Sequence, residues 1–147
     1  MTIDKMLGID YPIIVAPMFL ISNTAMIKAA MDNGITAAFP ALNFRTDEEL
    51  RSAINELKNH SNKPFGVNLI VNKSNLLYKS QLKTLAELKV DFIITSLGSP
   101  EEVIKTCKPL GIKVFCDVVD TAYAKKVEAL GADAVIAVNN QAGGHAG

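Results

Sequence analysis

Two glycines and a histidine follow one another near residue 145, as Gly143, Gly144 and His145. An imidazole titrates near neutral pH, so it can serve as an acid, a base or a hydrogen-bond donor, and glycines let the backbone approach a ligand closely. The pattern indicates a catalytic or ligand-contacting role for His145, with a tail histidine that has no partner as the alternative. The other histidine, His60, lies in a polar run and is predicted to belong to a solvated loop.

Three further residues have side chains or positions that suit ligand binding. Asn68 is an amide within the apolar run of residues 65–69, and a buried amide requires hydrogen-bond partners. It either bonds to the next strand or contacts a ligand, and its place near the end of the run favours a ligand. Asp117 ends another apolar run, where it contacts a ligand or caps the following helix. Met18 either packs in the core or offers its backbone to a cofactor.

Six short apolar runs alternate with longer segments of helical spacing, and this alternation predicts a repeated βα unit. Thr46 and Glu49 form a capping box at the start of one helix, and residues 75–89 form another amphipathic helix. Glycines that end helices lie at Gly34, Gly111 and Gly131. The predicted strands cover residues 13–16, 36–39, 65–69, 92–95, 114–118 and 134–138.

The predicted strands are continuously apolar, which is typical of a parallel sheet covered by helices. The fold class is therefore α/β, and we expect residues 1–147 to form one partial TIM (β/α)₈ barrel of six strands. A complete barrel takes about 250 residues, so strands seven and eight are absent. An open doubly wound sheet is the competing architecture, but no GxGxxG turn follows the first strand.

In both architectures ligands bind at the carboxyl ends of the strands. Small and amide-bearing residues dominate this rim, and Arg45 is the one lysine or arginine among the predicted rim residues. Such a rim fits a neutral, flat, hydrogen-bonding ligand better than a polyanion. The rim residues are Ala16, Pro17 and Met18 after strand one, Asn43 and Arg45 after strand two, Asn68, Ser96, Asp117 and residues 139–145.

The composition excludes several classes of function. Fifteen basic residues balance fifteen acidic ones, whereas nucleic-acid binders carry a basic excess. The longest apolar stretch, residues 12–21, is too short to cross a bilayer, and no signal peptide is recognisable, so we expect a cytoplasmic protein. Cys107 and Cys116 lack metal or disulfide spacing and are predicted to be buried free thiols. No metal cluster, GxSxG motif or Walker loop is present.

The motifs together resemble the nitronate monooxygenase family, formerly called 2-nitropropane dioxygenase, which also includes flavin-dependent enoyl reductases. The resemblance spans the chain and depends on five motifs in order. These are residues 16–18, residues 39–46, residues 66–69, residues 96–98 and residues 142–147.

The resemblance implies an FMN-dependent TIM barrel that oxidises alkyl nitronates with O₂ to a carbonyl compound and nitrite. His145 is then the catalytic acid or base, or a donor to the nitro group. Asn68 holds the flavin, the backbone of Pro17 and Met18 lies near the isoalloxazine, and Gly143 contacts FMN. We include Ala16, Asp117 and Gly144 among the expected cofactor-binding residues because of their places on the rim.

The family binds the cofactor phosphate in loops after strands seven and eight, so we expect this amino-terminal portion to bind flavin weakly or not at all and to turn over little substrate. Two alternatives remain. One is an enoyl reductase of the same family that uses a nicotinamide hydride. The other is a non-catalytic module that associates with itself or a complementary fragment through exposed sheet edges.

Overall fold

A computed structural model describes residues 1–147 and contains one six-stranded sheet. All neighbouring strands pair in parallel, in the order β1-β2-β3-β4-β5-β6. The sheet curls into a half-barrel, as predicted for an incomplete TIM barrel. The strands are β1 Ile14–Val15, β2 Thr36–Pro40, β3 Gly66–Ile70, β4 Phe92–Ser96, β5 Lys113–Val118 and β6 Ala134–Ala137.

Six α-helices accompany the strands. Side chains of all but the first pack in one core with Val67, Val114 and the other outward-facing strand residues. A doubly wound sheet has helices on both faces and a break in strand order, so that alternative is excluded. The helices are α1 Ile3–Leu7, α2 Thr24–Asp32, α3 Asp47–His60, α4 Tyr78–Glu87, α5 Glu101–Cys107 and α6 Thr121–Leu130, with 3₁₀ turns at Ala41–Asn43 and Lys108–Leu110.

The predicted elements all exist, but some of their ends differ. β1 has only two residues, because it pairs with β2 through Ile14 and Val15 alone and Pro17 has no N–H with which to continue the ladder. The N-cap half of the predicted capping box is present, since Thr46 Oγ1 accepts a hydrogen bond from Glu49 N at 3.2 Å. The Glu49 carboxylate bonds one residue earlier than in a capping box, because its Oε2 accepts from Arg45 N at 3.2 Å.

One prediction about a polar segment was wrong, and one predicted helix begins later than expected. His60 is the last residue of α3, not part of a loop, and its Nε2 lies 2.8 Å from Asp32 Oδ1. The helix predicted over residues 75–89 begins only at Tyr78, because Asn75 forms a turn whose Oδ1 accepts from Leu77 N at 3.1 Å.

Helix α1 was not predicted from the sequence. Thr2 precedes it, and Gly8 ends it in the left-handed conformation with φ +68°. Its residues Ile3, Met6 and Leu7 pack against a cluster on the concave face that includes Phe92 and Phe115. The short helix therefore covers apolar surface that five outer helices cannot reach.

The concave face is closely packed around two stacked aromatic rings. The rings of Phe92 and Phe115 lie 5.2 Å apart, centroid to centroid. Gly66 pairs with Phe92 in register, and a Cβ placed on Gly66 would lie 2.2 Å from Phe92 Cε2. A side chain at position 66 and the Phe92 ring therefore cannot occupy their places together.

Both outer strands have one unpaired edge, because β1 pairs only with β2 and β6 only with β5. Association through these edges stays a prediction. Cys107 and Cys116 are buried and free, as predicted. None of the helices has both the length and the apolar character needed to cross a bilayer.

Gly66→Ala is expected to lower the free energy of unfolding by about 1–3 kcal/mol, because the new methyl group must displace the Phe92 ring. Urea unfolding followed by circular dichroism measures the change. Gly143→Ala is the matched control, since a Cβ at this position would have no atom within 4 Å and the backbone φ is not positive. An equal loss of stability in both variants would contradict the packing argument.

Candidate functional site

Three polar side chains meet on the concave face near the carboxyl ends of three adjacent strands. They are Asn68 of β3, Ser96 of β4 and Asp117 of β5. Asn68 Nδ2 donates to Ser96 Oγ at 2.9 Å, and Ser96 Oγ donates to Asp117 Oδ2 at 2.5 Å. These three residues, which we call the polar relay, lie on the same face as the apolar cluster around Phe92 and Phe115.

The amide of Asn68 is held in one orientation. Its Nδ2 also donates to the backbone oxygen of Ile94 at 3.0 Å, and a carbonyl oxygen can only accept. The residue is 8% exposed. No hydrogen bond within the protein uses Oδ1. Because every fully buried side-chain oxygen in this structure has a partner, Oδ1 is not fully buried and keeps some contact with solvent. Asn68 therefore makes the predicted bonds to the next strand and still presents a free acceptor.

Asp117 is half-buried at the end of the polar relay. Burial raises the pKa of its carboxyl, and the hydrogen bond from Ser96 lowers the pKa by less. Asp117 does not cap the following helix. That position belongs to Asp120, whose Oδ1 accepts from Tyr123 N at 2.7 Å.

The loop after β1 is fixed by hydrogen bonds within the rim. Met18 N donates to Ser22 Oγ at 2.8 Å, and Leu20 N donates to Asn43 Oδ1 at 2.8 Å. Met18 is half-buried, as is Pro17, while Ala16 is exposed. Because the Met18 N–H already has a partner, any backbone donor that this loop offers to a ligand comes from another residue.

Two leucines at this rim have a strained backbone and an exposed side chain. Leu20 has φ +62° and Leu97 has φ +65°, and both side chains are 70% exposed. Left-handed backbone disfavours a residue with a Cβ, and such strain often marks functional sites. Phe19 and Ile21 are also more than half exposed, so the rim combines polar groups with apolar surface.

The segment after β6 begins at the same edge of the sheet. Asn139 organises it, because its backbone oxygen accepts from Ala142 N and Gly147 N. Gly143, Gly144 and His145 are all exposed, and Gly144 has φ +82°. No hydrogen bond or ion pair connects the His145 ring to the polar relay. The structure therefore unites Asn68 and Asp117 but leaves His145 and the two glycines in a separate segment of the rim.

Few charged groups are available at this edge. Arg45 is exposed, and the loop after β3 adds Lys73, an exposed lysine that was not among the rim residues predicted from sequence. No group of three or more His, Cys, Asp or Glu residues is arranged to hold a metal ion. Two clefts lie near the amino-terminal edge of the sheet, around Leu7, Pro64 and Asp91, away from the polar relay.

Sequence reasoning missed two residues that shape the rim. Ser22 is 1% exposed and holds the Met18 backbone, and Tyr123 Oη donates to Gly98 O at 2.5 Å. The Tyr123 contact joins residues 25 positions apart, so no local pattern reveals it. Ser22 lies four positions after Met18 in the same loop, and this spacing was the signal that could have found it. Ser96 and Asn43 were recognised as rim residues, but the sequence did not show whether their side chains contact the neighbouring elements.

A model of the nitronate monooxygenase family matches residues 74–147, half of the chain. The chain belongs to the nitronate monooxygenase family. The matched segment contains Ser96, Asp117 and His145, whereas Asn68 lies before it.

Among curated relatives of this family member, a nitronate monooxygenase from Pseudomonas aeruginosa is 27% identical over 180 residues, covering 97% of this chain and 51% of the relative. A Rhodococcus jostii protein named (3aS,4S,5R,7aS)-5-hydroxy-7a-methyl-1-oxo-octahydro-1H-indene-4-carboxyl-CoA dehydrogenase is 28% identical over 145 residues, covering 99% and 40%. The chain thus spans about half the length of the curated relatives it matches.

The structure of FabK from Thermotoga maritima has the same arrangement. It superposes with a TM-score of 0.91 at 32% identity, and the match covers 99% of this chain and 46% of FabK. The agreement supports the assignment of the six strands to a partial TIM barrel.

Asp117→Asn is expected to stabilise this family member at neutral pH relative to the wild type. Because burial raises the pKa of Asp117 above that of the unfolded chain, its contribution to stability is complete at low pH and is lost as pH rises through the raised pKa. The neutral amide avoids this loss and retains an acceptor for Ser96.

Urea unfolding of both proteins between pH 3.5 and 8 measures the effect. The free energy of unfolding of the variant should exceed that of the wild type by an amount that grows with pH and then levels off. Subtracting one free energy from the other cancels the contributions of all other titratable groups. An advantage that shrinks as pH rises would contradict the direction of the shift.

Proposed function

We propose that this chain forms part of the flavin site of an FMN-dependent oxidoreductase that oxidises alkyl nitronates with O₂, giving a carbonyl compound and nitrite. The observation that carries the proposal is the free Oδ1 of Asn68, held at the carboxyl end of a central strand. Membership of the nitronate monooxygenase family supports the reaction class. The cytoplasm remains the proposed location.

The residues of the rim fit the ring portion of FMN. An isoalloxazine is flat, has apolar faces and carries hydrogen-bonding groups on its edge. Asn68 offers an acceptor, Phe19 and Leu97 offer exposed apolar surface, and the backbone at Gly143 and Gly144 has open space around it. When bound, FMN supplies the electron-accepting ring that the side chains of the protein lack.

The protein's own groups have distinct proposed roles. Asn68 orients the flavin, Pro17 and Met18 limit the space at the rim, and Asp117 supports Asn68 through Ser96. His145 binds the nitro group of the substrate. Its ring nitrogen donates a hydrogen bond to an oxygen atom of that group, or exchanges a proton with the substrate as an acid or base. The exposed imidazole is compatible with this role, because no hydrogen bond to another protein group uses its ring nitrogens.

A second candidate is an enoyl reductase that takes a hydride from a nicotinamide. The exposed apolar side chains of Leu20 and Leu97 favour it, because an acyl chain needs apolar contacts that a small nitronate does not. The Rhodococcus jostii relative is named for a carboxyl-CoA compound, which supports a thioester substrate as the second choice.

The phosphate of FMN is expected to add little to binding by residues 1–147. Arg45 and Lys73 are exposed, and an ion pair between exposed charges contributes at most about 1 kcal/mol. Two such pairs with the phosphate would contribute at most about 2 kcal/mol to the binding free energy. FMN should therefore bind no more than about 30-fold more tightly than riboflavin. Quenching of flavin fluorescence measures both affinities.

The double variant Arg45→Ala, Lys73→Ala is the control for this comparison, and it should bring the two affinities together. A preference for FMN of about 1,000-fold would reveal a phosphate site elsewhere in the chain. Equal binding of FMN and riboflavin by the wild type would show that neither cation is used.

His145→Asn is expected to lower turnover of nitronate by about 100-fold or more in the flavin-loaded protein, since loss of a general acid or base has effects of that size. Flavin content should stay unchanged. The measurement is nitrite release with an alkyl nitronate and O₂, with absorbance at 450 nm reporting bound flavin.

The matched control is His60→Asn, because His60 pairs with Asp32 at the end of α3 and should leave turnover unaffected. Unchanged turnover in His145→Asn would remove the proposed role. Consumption of NAD(P)H with an enoyl thioester, without any nitrite from nitronate, would replace the first candidate by the second.

A further inference from the structure

Both amide protons of Asn68 are already used within the protein. One N–H donates to Ile94 O at 3.0 Å and the other to Ser96 Oγ at 2.9 Å. An asparagine amide has two donors and one acceptor oxygen. A ligand that reaches Asn68 therefore finds only Oδ1.

Ser96 has one proton, and Asp117 receives it at 2.5 Å. While that bond exists, the Ser96 oxygen can act toward Asn68 only as an acceptor. Without Asp117, the hydroxyl could rotate and donate elsewhere. Asp117 thus sets the direction in which the Ser96 hydroxyl points, while Ile94 O sets which atom of the Asn68 amide faces that hydroxyl.

We propose that Asp117 is a positioning residue, which acts through Ser96 to hold the Asn68 amide so that the site selects ligands presenting an N–H or O–H group to Oδ1. This inference rests on the proposed function, since it takes the flavin-binding rim as the place where Oδ1 is used. It assigns to Asp117 an indirect role rather than contact with the cofactor.

The surroundings of the relay keep it rigid. The three residues lie on adjacent strands, whose in-register pairing fixes the spacing of their Cα atoms. The turn after Ser96 is constrained, because Leu97 has φ +65° and Gly98 O accepts from Tyr123 Oη. A Cβ at Gly98 would lie 3.0 Å from Val71 O, so this turn packs closely against the loop after β3.

The location of the carboxylate also points to a use beyond stability. Burial raises the pKa of Asp117, so the ionised form opposes folding. An apolar residue could fill this place on the concave face without that cost. Carboxylates retained in such positions are frequently part of functional sites.

Nuclear magnetic resonance of the 147-residue chain tests the inference directly. The Asn68 side-chain amide is assigned by its disappearance in Asn68→Asp. In the wild type both of its protons should be shifted downfield and exchange slowly with solvent. In Asp117→Ala and Ser96→Ala, one of the two protons should move upfield and exchange rapidly with solvent. In Asp117→Asn, which keeps an acceptor for Ser96, both protons should stay close to their wild-type shifts and exchange rates.

Asp91→Ala is the matched control. Asp91 Oδ2 accepts from Phe65 N at 3.1 Å near the other end of the same strands, so its loss should leave the Asn68 protons unchanged. Unchanged Asn68 protons in folded Asp117→Ala would overturn the proposal. If that variant does not fold, Asp117→Val, which fills most of the same space without an acceptor for Ser96, decides the question in the same way.

Riboflavin titration of the same variants separates this inference from the proposed function. Asp117→Ala and Ser96→Ala should weaken binding about tenfold, the effect of one hydrogen bond of ordinary strength, and Asp117→Asn should restore it. If the wild type binds no riboflavin, the proposed function fails while the amide protons still test the relay. Equal binding by wild type and Asp117→Ala, with the amide protons moved, would overturn the selection by Oδ1.

Discussion

The parallel, in-register pairing of six strands is the constraint on which the rest of this structure depends. Because each strand runs in the same direction, all carboxyl ends lie at one edge, and the period of two separates the side chains into an outer and an inner set. The outer set packs against five helices, and the inner set fills the concave face. Asn68, Ser96 and Asp117 meet only because they share both the edge and the inner face.

The inner face combines two kinds of packing that have different energetic consequences. Around Phe92 and Phe115 it is apolar and depends on the absence of a side chain at Gly66. Toward the carboxyl edge it is polar, and each buried donor there has an acceptor. The apolar half stabilises the curled sheet, whereas the polar half carries a carboxylate whose burial opposes folding.

The strands were predictable because a parallel sheet requires continuous apolar runs, and helix starts were predictable where a cap lies nearby in sequence, as at Thr46. Asn68 was recognised because an amide stands out in an apolar run. The other two residues of the polar relay were not predictable as its neighbours, since Ser96 and Asp117 lie 28 and 49 positions after Asn68 and only the register aligns them. Helix α1 escaped notice because five residues give too short a period to recognise.

Helix α1 also has a consequence for the order in which the chain acquires its structure. It is synthesised before the strands that it contacts, because the aromatic rings that it covers belong to β4 and β5, about ninety residues or more downstream. Contacts so distant in sequence form slowly, because a long loop must close before they add stability. We expect helix α1 to remain undocked until β4 and β5 have been synthesised and paired, and to fold onto the sheet after them.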